Sequence, residues 1–316
     1  MARQSQPQAR RPTRRWAPGC VWLAMALLGL ATSCAPVAPP SRAAPMPASE
    51  SPALPVGEAP PTPGHPVLSA DGLRVPSQLD PATPAPVLLA LHGMGGSGPR
   101  VARRLEECAT QHGWVLVAPS LAYRNPIDPE QVRLDGQELL PRLRELLEAL
   151  PGRLGVRLAE RVLVYGFSRG GQMAHRLALF YPEKVAGVAV VAAGSYTLPR
   201  ATAPVEGREQ PLPFPFGVAD LQRYAGRPFD ARSLRAVPFW VGVGATDTAT
   251  EQVPRPWDPY IGSTRLERAE RFSRALQGLG APVTFQVFSG AGHEEIPAMR
   301  SRACEFLAAH APTNSR

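Results

Sequence analysis

The sequence predicts an α/β protein, a mostly parallel sheet wound with helices on both faces. Three observations carry this. Apolar runs of strand length recur at 86–91, 114–118, 185–191, 239–244 and 283–288, with another from Val162 that breaks at Gly166, and the unbroken apolar character of 86–91 suits a strand buried on both sides. Segments of helical period alternate with them. Glycine-rich loops follow at 92–98, 166–171 and 289–293, at strand ends where such a sheet collects its site residues.

Ahead of this pattern, residues 1–33 combine Arg3, Arg10, Arg11, Arg14 and Arg15 with an apolar stretch from Val21 to Leu30 and a small-residue end, Ala31-Thr32-Ser33. Together these make a secretory signal, too short in its apolar part for a comfortable transmembrane helix. Leu30-Ala-Thr-Ser-Cys34 resembles a bacterial lipobox, which implies lipidation at Cys34. Ala31 stands where lipoboxes usually carry leucine, and Ala31 with Ser33 also suits ordinary signal peptidase, so plain secretion stays open. Residues 34–66 are Pro, Ala and Ser with few large apolar side chains and read as a tether. The expected catalytic domain is 67–312.

Composition supports one globular domain: 44% of the 316 residues are hydrophobic and 19% charged. The net charge of +8 includes the five leader arginines, and the rest of the chain carries +3. No basic patch interleaved with aromatics remains, which sets nucleic acid aside. The membrane is expected as a partner only through a lipid anchor.

Within the domain, 67–75 holds a weak edge strand or hairpin. The strand at 86–91 runs into His92-Gly-Met-Gly-Gly-Ser-Gly98. This loop lacks both the P-loop lysine and the dinucleotide spacing. Its glycines instead let backbone N–H groups face a developing negative charge, as an oxyanion loop requires. A helix near 99–112 and a strand at 114–118 follow. Asp128-Pro129 is an N-cap with a first-turn proline, opening a helical region to about Leu150 that Pro141 interrupts or kinks.

Val162-Leu-Val-Tyr-Gly-Phe-Ser-Arg-Gly-Gly171 is a strand, a tight turn and the start of a helix, with Ser168 at the apex. Gly166 and Gly170 remove the side chains that would collide in that turn. A serine is a weak nucleophile and must be presented clear of its neighbours to a base and a substrate carbonyl. Arg169, directly after it, offers a backbone N–H to the oxyanion. Gln172, Met173, Leu177 and Phe180 recur at helical spacing until Tyr181-Pro182 stops the helix. After the strand at 185–191, the Pro-rich segment 195–237 carries Tyr196, Phe214, Phe216, Tyr224 and Phe229 and is expected to form a cap lining the substrate pocket.

The strand at 239–244 ends in Ala245-Thr-Asp247, a helix spans about 265–279, and the strand at 283–288 ends in Ser289-Gly-Ala-Gly-His293. A last helix covers about 297–309. Ser168, Asp247 and His293 therefore each follow a strand, in a chain order that suits a nucleophile, an acid that orients the base, and the base. Asp258 is the rival acid. His92 is expected to be structural; His65 and His310 lack a fitting context, and His112 and His175 fall inside helices.

His92-Gly-Met-Gly-Gly, Gly166-Phe-Ser-Arg-Gly-Gly-Gln-Met-Ala174, Gly244-Ala-Thr-Asp247 and Gly290-Ala-Gly-His293 resemble the α/β-hydrolase superfamily. The chain is similar to its phospholipase/carboxylesterase branch and to polyhydroxyalkanoate-depolymerase and feruloyl-esterase relatives. The resemblance covers about 67–312 and implies an α/β-hydrolase fold and a serine esterase that needs no metal or cofactor. Its substrate would be a small-molecule or polymer ester, and the second oxyanion donor the N–H of Met94. A peptidase or thioesterase using the same triad, and an inert surface-anchored binding lipoprotein, are the competing readings. The resemblance also implies that the helices carrying Cys108 and Cys304 lie side by side, so that a disulfide or two buried thiols are expected there.

Overall fold

The computed structural model describes residues 68–69, 71–77, 79, 83–205 and 207–312. The expected leader, the tether and Cys34 lie outside the described residues. The central sheet has six strands: β1 (Val87–Leu91), β2 (Val115–Val117), β3 (Val162–Phe167), β4 (Val185–Val191), β5 (Phe239–Gly244) and β6 (Val283–Phe288). All five pairings are parallel, in the order β2-β1-β3-β4-β5-β6. Leu68–Ser69 adds a short antiparallel ladder with Ser120–Leu121.

Five long helices cover the sheet: α1 (Gly98–Gln111), α2 (Pro129–Leu154), α3 (Arg169–Phe180), α4 (Arg265–Leu279) and α5 (Pro297–Ala309). Strand alternation divides the core between the two faces. Val87, Leu89 and Leu91 pack with Leu139, Leu143, Met173, Leu177 and Phe272, from α2, α3 and α4. Leu88 and Ala90 face the other way, onto Leu105 of α1 and Met299, Ala303 and Leu307 of α5. The continuous apolar runs of the inner strands follow from this, because neither of their faces meets water, whereas the edge strand β6 is exposed at Thr284 and Val287.

The helix ends follow the expected capping chemistry. Asp128 accepts the Glu130 N–H at 2.9 Å, and α2 closes on Gly155 in the left-handed region. Thr264 accepts the Glu267 N–H at 3.1 Å while Glu267 accepts the Ser263 N–H at 2.6 Å, fixing the start of α4. Pro141 does not interrupt α2, which runs as a single element of 26 residues through Pro141 and Pro151. Burial of Val132, Leu139, Leu143, Leu146 and Leu150 along one face outweighs the hydrogen bonds the prolines remove.

The 195–237 segment also differs from expectation. It holds a small hairpin, Thr202–Val205 with Arg208–Pro211, and two short helices, Gln222–Ala225 and Ala231–Arg235. Its aromatic side chains pack on the core. Tyr196 stacks on Phe272 at 4.5 Å between centroids, Phe214 meets Phe180 edge-on at 5.3 Å, and Phe216 packs on Trp257 at 4.4 Å. None of them lines the cavity beside Ser168.

Candidate active site

Parallel register brings the site together. Leu91 pairs with Gly166, Phe167 with Val191, Val191 with Gly242, and Gly244 with Phe288. The residues just past these partners therefore leave the sheet at one edge, as a doubly wound topology requires.

Ser168 sits between β3 and α3 with φ 52° and ψ −114°, a strained conformation for a residue with a Cβ. Its N–H donates to the Val191 carbonyl at 2.8 Å, which holds the turn against the sheet. A Cβ on Gly166 would strike the Gly170 carbonyl, and one on Gly170 would strike that of Leu91. The glycines are thus needed where the motif predicts them.

Ser168 Oγ lies 3.0 Å from His293 Nε2, and His293 Nδ1 lies 3.0 Å from Asp247 Oδ2. The carboxylate accepts, so Nδ1 carries the proton and Nε2 is free to accept from the serine. Asp247 is buried, and its other oxygen accepts from Arg265 Nη1 at 3.1 Å. Asp258, the rival acid, is occupied elsewhere by Arg268 and Arg255, each at 2.6 Å.

The two loops that carry acid and base are tied together. Ala245 N–H donates to Phe288 O at 2.9 Å, and Thr246 bonds Ala291 O through both its N–H and its hydroxyl, at 3.0 and 2.8 Å. Below His293, the Tyr165 hydroxyl donates to the buried Glu295 carboxylate, which also pairs with Arg104 at 2.5 Å. Phe167 stacks on the imidazole at 5.4 Å. Burial, with Glu295 beside it, pushes the Tyr165 phenol well above its ordinary range, so it stays a donor.

On the other side, the His92 loop lies against the elbow: a Cβ on Gly93 would stand 3.4 Å from Ser168 Cβ. His92 Nε2 accepts from Leu121 N–H at 2.9 Å, which leaves Nδ1–H to donate to Gly93 O at 2.7 Å. Burial lowers its pKa, so the neutral ring acts as a fixed brace for the loop. Met94 follows, with an exposed side chain. Arg169 opens α3, where an N–H has no intrahelical acceptor. Its side chain folds back to Asp135 at 2.5 Å and to Gln172.

A cavity of about 140 Å³ contains Ser168 and His293 and is walled by Met94, Arg169, Gln172 and Arg265. Another of about 150 Å³ meets it at Met94 and runs along the His92 loop to Phe167 and Glu295. Larger hollows, of about 410 to 600 Å³, lie away from Ser168 and His293. Among the described residues, no group of three or more His, Cys, Asp or Glu side chains is placed to hold a metal.

Several of these residues carry no sequence signal. Arg265, Thr246, Tyr165, Glu295 and Asp135 act on the site through contacts made only in the fold. Thr246 and Tyr165 stand beside motif residues, Asp247 and Gly166, but neither residue's contact is legible there.

With its sheet order and crossovers, the chain has the α/β-hydrolase fold. It is 31% identical over 239 residues to "Putative esterase NocK" of Nocardia uniformis subsp. tsuyamanensis, a match over 67% of this chain and 65% of that protein. The chain thus spans about two thirds of that relative's length. Among solved structures it is similar to poly(aspartic acid) hydrolase-1 from Sphingomonas sp. KT-1, with TM-score 0.58, 19% identity, and 74% of this chain and 91% of that one covered. It is also similar to LpqC, a poly(3-hydroxybutyrate) depolymerase from Bordetella parapertussis, with TM-score 0.57, 23% identity and coverage of 79% and 91%. At these identities the two structures speak for the fold. No family model matches the chain.

Proposed function

We propose that the protein is a serine hydrolase that cleaves carboxylic esters through an acyl-enzyme. One observation carries the reading: the hydrogen-bonded line Ser168 Oγ, His293 Nε2, His293 Nδ1, Asp247 Oδ2, with both links at 3.0 Å. Ser168 Oγ bonds to the acyl carbon as its proton passes to His293 Nε2, and the carbonyl oxygen becomes an oxyanion facing the N–H groups of Met94 and Arg169. Collapse breaks the bond to the alcohol, which leaves with the proton from His293. Water then attacks the acyl-enzyme by the same route and releases the acid. Asp247 holds the imidazole in the required tautomer throughout.

The esterase and depolymerase names of the similar proteins support the ester class. A fluorophosphonate probe tests the nucleophile: it labels the wild type and fails on Ser168→Ala, and labelling that survives the substitution overturns the reading. Parallel ester, thioester and amide substrates separate an esterase from a thioesterase or peptidase. A protein that is folded but neither labelled nor active would be the inert binding lipoprotein.

The leader supports export, and Cys34 is the proposed lipid attachment site. The Cys108–Cys304 bond suits an oxidising compartment outside the cytosol. Mass spectrometry of the native protein tests this: diacylated Cys34 at the N-terminus supports the anchor, and an unmodified cysteine means plain secretion.

A further inference from the structure

The cavity beside Ser168 is cationic, and its donors are not used up. Arg169 and Arg265 are 1% and 6% exposed, and the Nε–H of each is buried without a hydrogen-bond partner. Buried donors left unmade are costly, and an acceptor brought by a ligand would relieve that cost. Gln172 is buried between them. Its carbonyl accepts from Arg169 Nη1 and, at a long 3.5 Å, from Arg176 Nη1, which leaves its NH2 group to face other partners.

Gly194 shows where that NH2 points. A Cβ at this position would stand 3.2 Å from Gln172 Nε2 and 3.7 Å from Arg265 Nε. Two side-chain donors thus flank Gly194, which with them lines the cavity that holds the nucleophile.

The buried charges point the same way. Asp135 answers Arg169 and Asp247 answers Arg265. Arg176, fully buried just behind Gln172, bonds only neutral acceptors, Thr197 Oγ1 at 2.9 Å, Ser195 Oγ at 3.0 Å and Gln172. Arg124, which also reaches Asp135, has Glu138 as its own partner. The wall therefore carries an uncompensated positive charge, which favours an anion in the cavity.

We propose that this cavity binds a carboxylate carried by the substrate a few bonds from the scissile ester, through Arg265 Nε, Gln172 Nε2 and the cationic wall of Arg169. The volume of about 140 Å³ holds roughly five water-sized groups of about 30 Å³ each, enough for a short acid arm. Preferred substrates are then esters bearing a free carboxylate, either half-esters of short dicarboxylic acids or esters of a short hydroxy acid. This rests on the ester-hydrolase reading above and narrows its substrate class.

The test compares kcat/KM for matched pairs in a pH-stat at pH 7.5, using the full chain. Monoethyl glutarate against ethyl pentanoate places the carboxylate on the acyl side; butanoyloxyacetate against propyl butanoate places it on the alcohol side. The anionic member of at least one pair is expected to win by about tenfold or more, the effect of one charge-assisted hydrogen bond. Gly194→Ala, whose methyl would crowd Gln172 Nε2 at 3.2 Å, and Gln172→Met, which removes one donor, are each expected to pull that ratio toward one. Hydrolysis of the neutral esters with no anionic preference in either pair overturns the inference and leaves the hydrolase reading standing. A preference that both variants retain overturns the placement in this cavity. No hydrolysis of any of the four esters, with no fluorophosphonate labelling, sinks the hydrolase reading and this inference with it.

Discussion

Arg265 Nη1 donates to Asp247 Oδ1 at 3.1 Å, on the carboxylate oxygen that His293 does not use. Asp247 is therefore clamped between a guanidinium and an imidazole and has one orientation open to it. Asp247→Asn keeps the shape but presents an amide to His293 Nδ1, favouring the wrong tautomer. We expect kcat to fall by about 10³ to 10⁴. Asp258→Asn acts on Arg268, which is fully buried and bonded to Asp258 at 2.6 Å. It should cost about 2 kcal/mol of stability and leave kcat within a few-fold. Steady-state kinetics and thermal melts of the two variants separate these outcomes, and a reversed pattern would make Asp258 the acid.

Ser168 pays for its position in backbone strain, with φ at 52°. Non-glycine residues in such regions cost about 1 to 3 kcal/mol. Ser168→Gly should thus raise stability by about 1 kcal/mol while abolishing activity, since glycine's own entropy offsets part of the relief. That corresponds to a melting point about 2 to 4 °C higher. Ser168→Ala keeps the Cβ and should melt near the wild type. A glycine variant that melts lower than the alanine variant would show that the strain is not stored there.

The reach of the sequence ends where chemistry becomes non-local. Ser168, Asp247 and His293 could be picked out because each follows an apolar run and keeps glycines nearby, and period and composition are local properties. Arg265 could not. It is the first residue of a helix, and nothing in its neighbourhood says that it turns back 18 positions to Asp247. Tyr165 and Glu295 are 130 positions apart and meet only because β3 and the loop after β6 end at one sheet edge. The aromatics of 195–237 misled for a related reason. Prolines and aromatic rings are equally what a pocket lining and a second core layer need, and only packing against Phe180, Trp257 and Phe272 decides between them.

His175 predicts an acid limit to stability. Its Nδ1–H donates to Gly171 O at 2.9 Å, and its Nε2 accepts from Thr197 N–H at 3.0 Å, an arrangement open only to the neutral ring. Burial first, and the nearby Arg176 second, hold its pKa well below the ordinary 6.5. The unfolded chain therefore binds a proton below about pH 6.5 that the folded chain refuses. Stability from this residue is complete above that pH and is lost as pH falls toward the folded value, at up to about 1.4 kcal/mol per pH unit. Urea midpoints between pH 4.5 and 8 should show this slope, and His175→Gln should flatten it. An unchanged slope in the variant would place the acid sensitivity elsewhere, His92 being the next buried histidine.

A disulfide joins Cys108 and Cys304, whose Cα atoms stand 6.1 Å apart across 196 positions of sequence. It joins α1 to α5 on the face of the sheet away from α3. Leu105 and Ala109 of the one helix and Ala303 and Leu307 of the other lie in the same core cluster, so the bond fastens helices that apolar contact already places together. A cross-link over so long a loop removes unfolded conformations worth about 5 kcal/mol in the chain-entropy account. For a domain of this size that amounts to roughly 10 °C in melting point. Paired Cys108→Ser and Cys304→Ser substitutions should lower the melting point by that order and leave kcat/KM near the wild-type value, because neither helix contributes a residue to the cavity around Ser168. Reduction with dithiothreitol should reproduce the shift in the wild type and do nothing to the variant. Two titratable thiols in the unreduced, unfolded domain, or equal melting points with and without reductant, would show that the bond does not form.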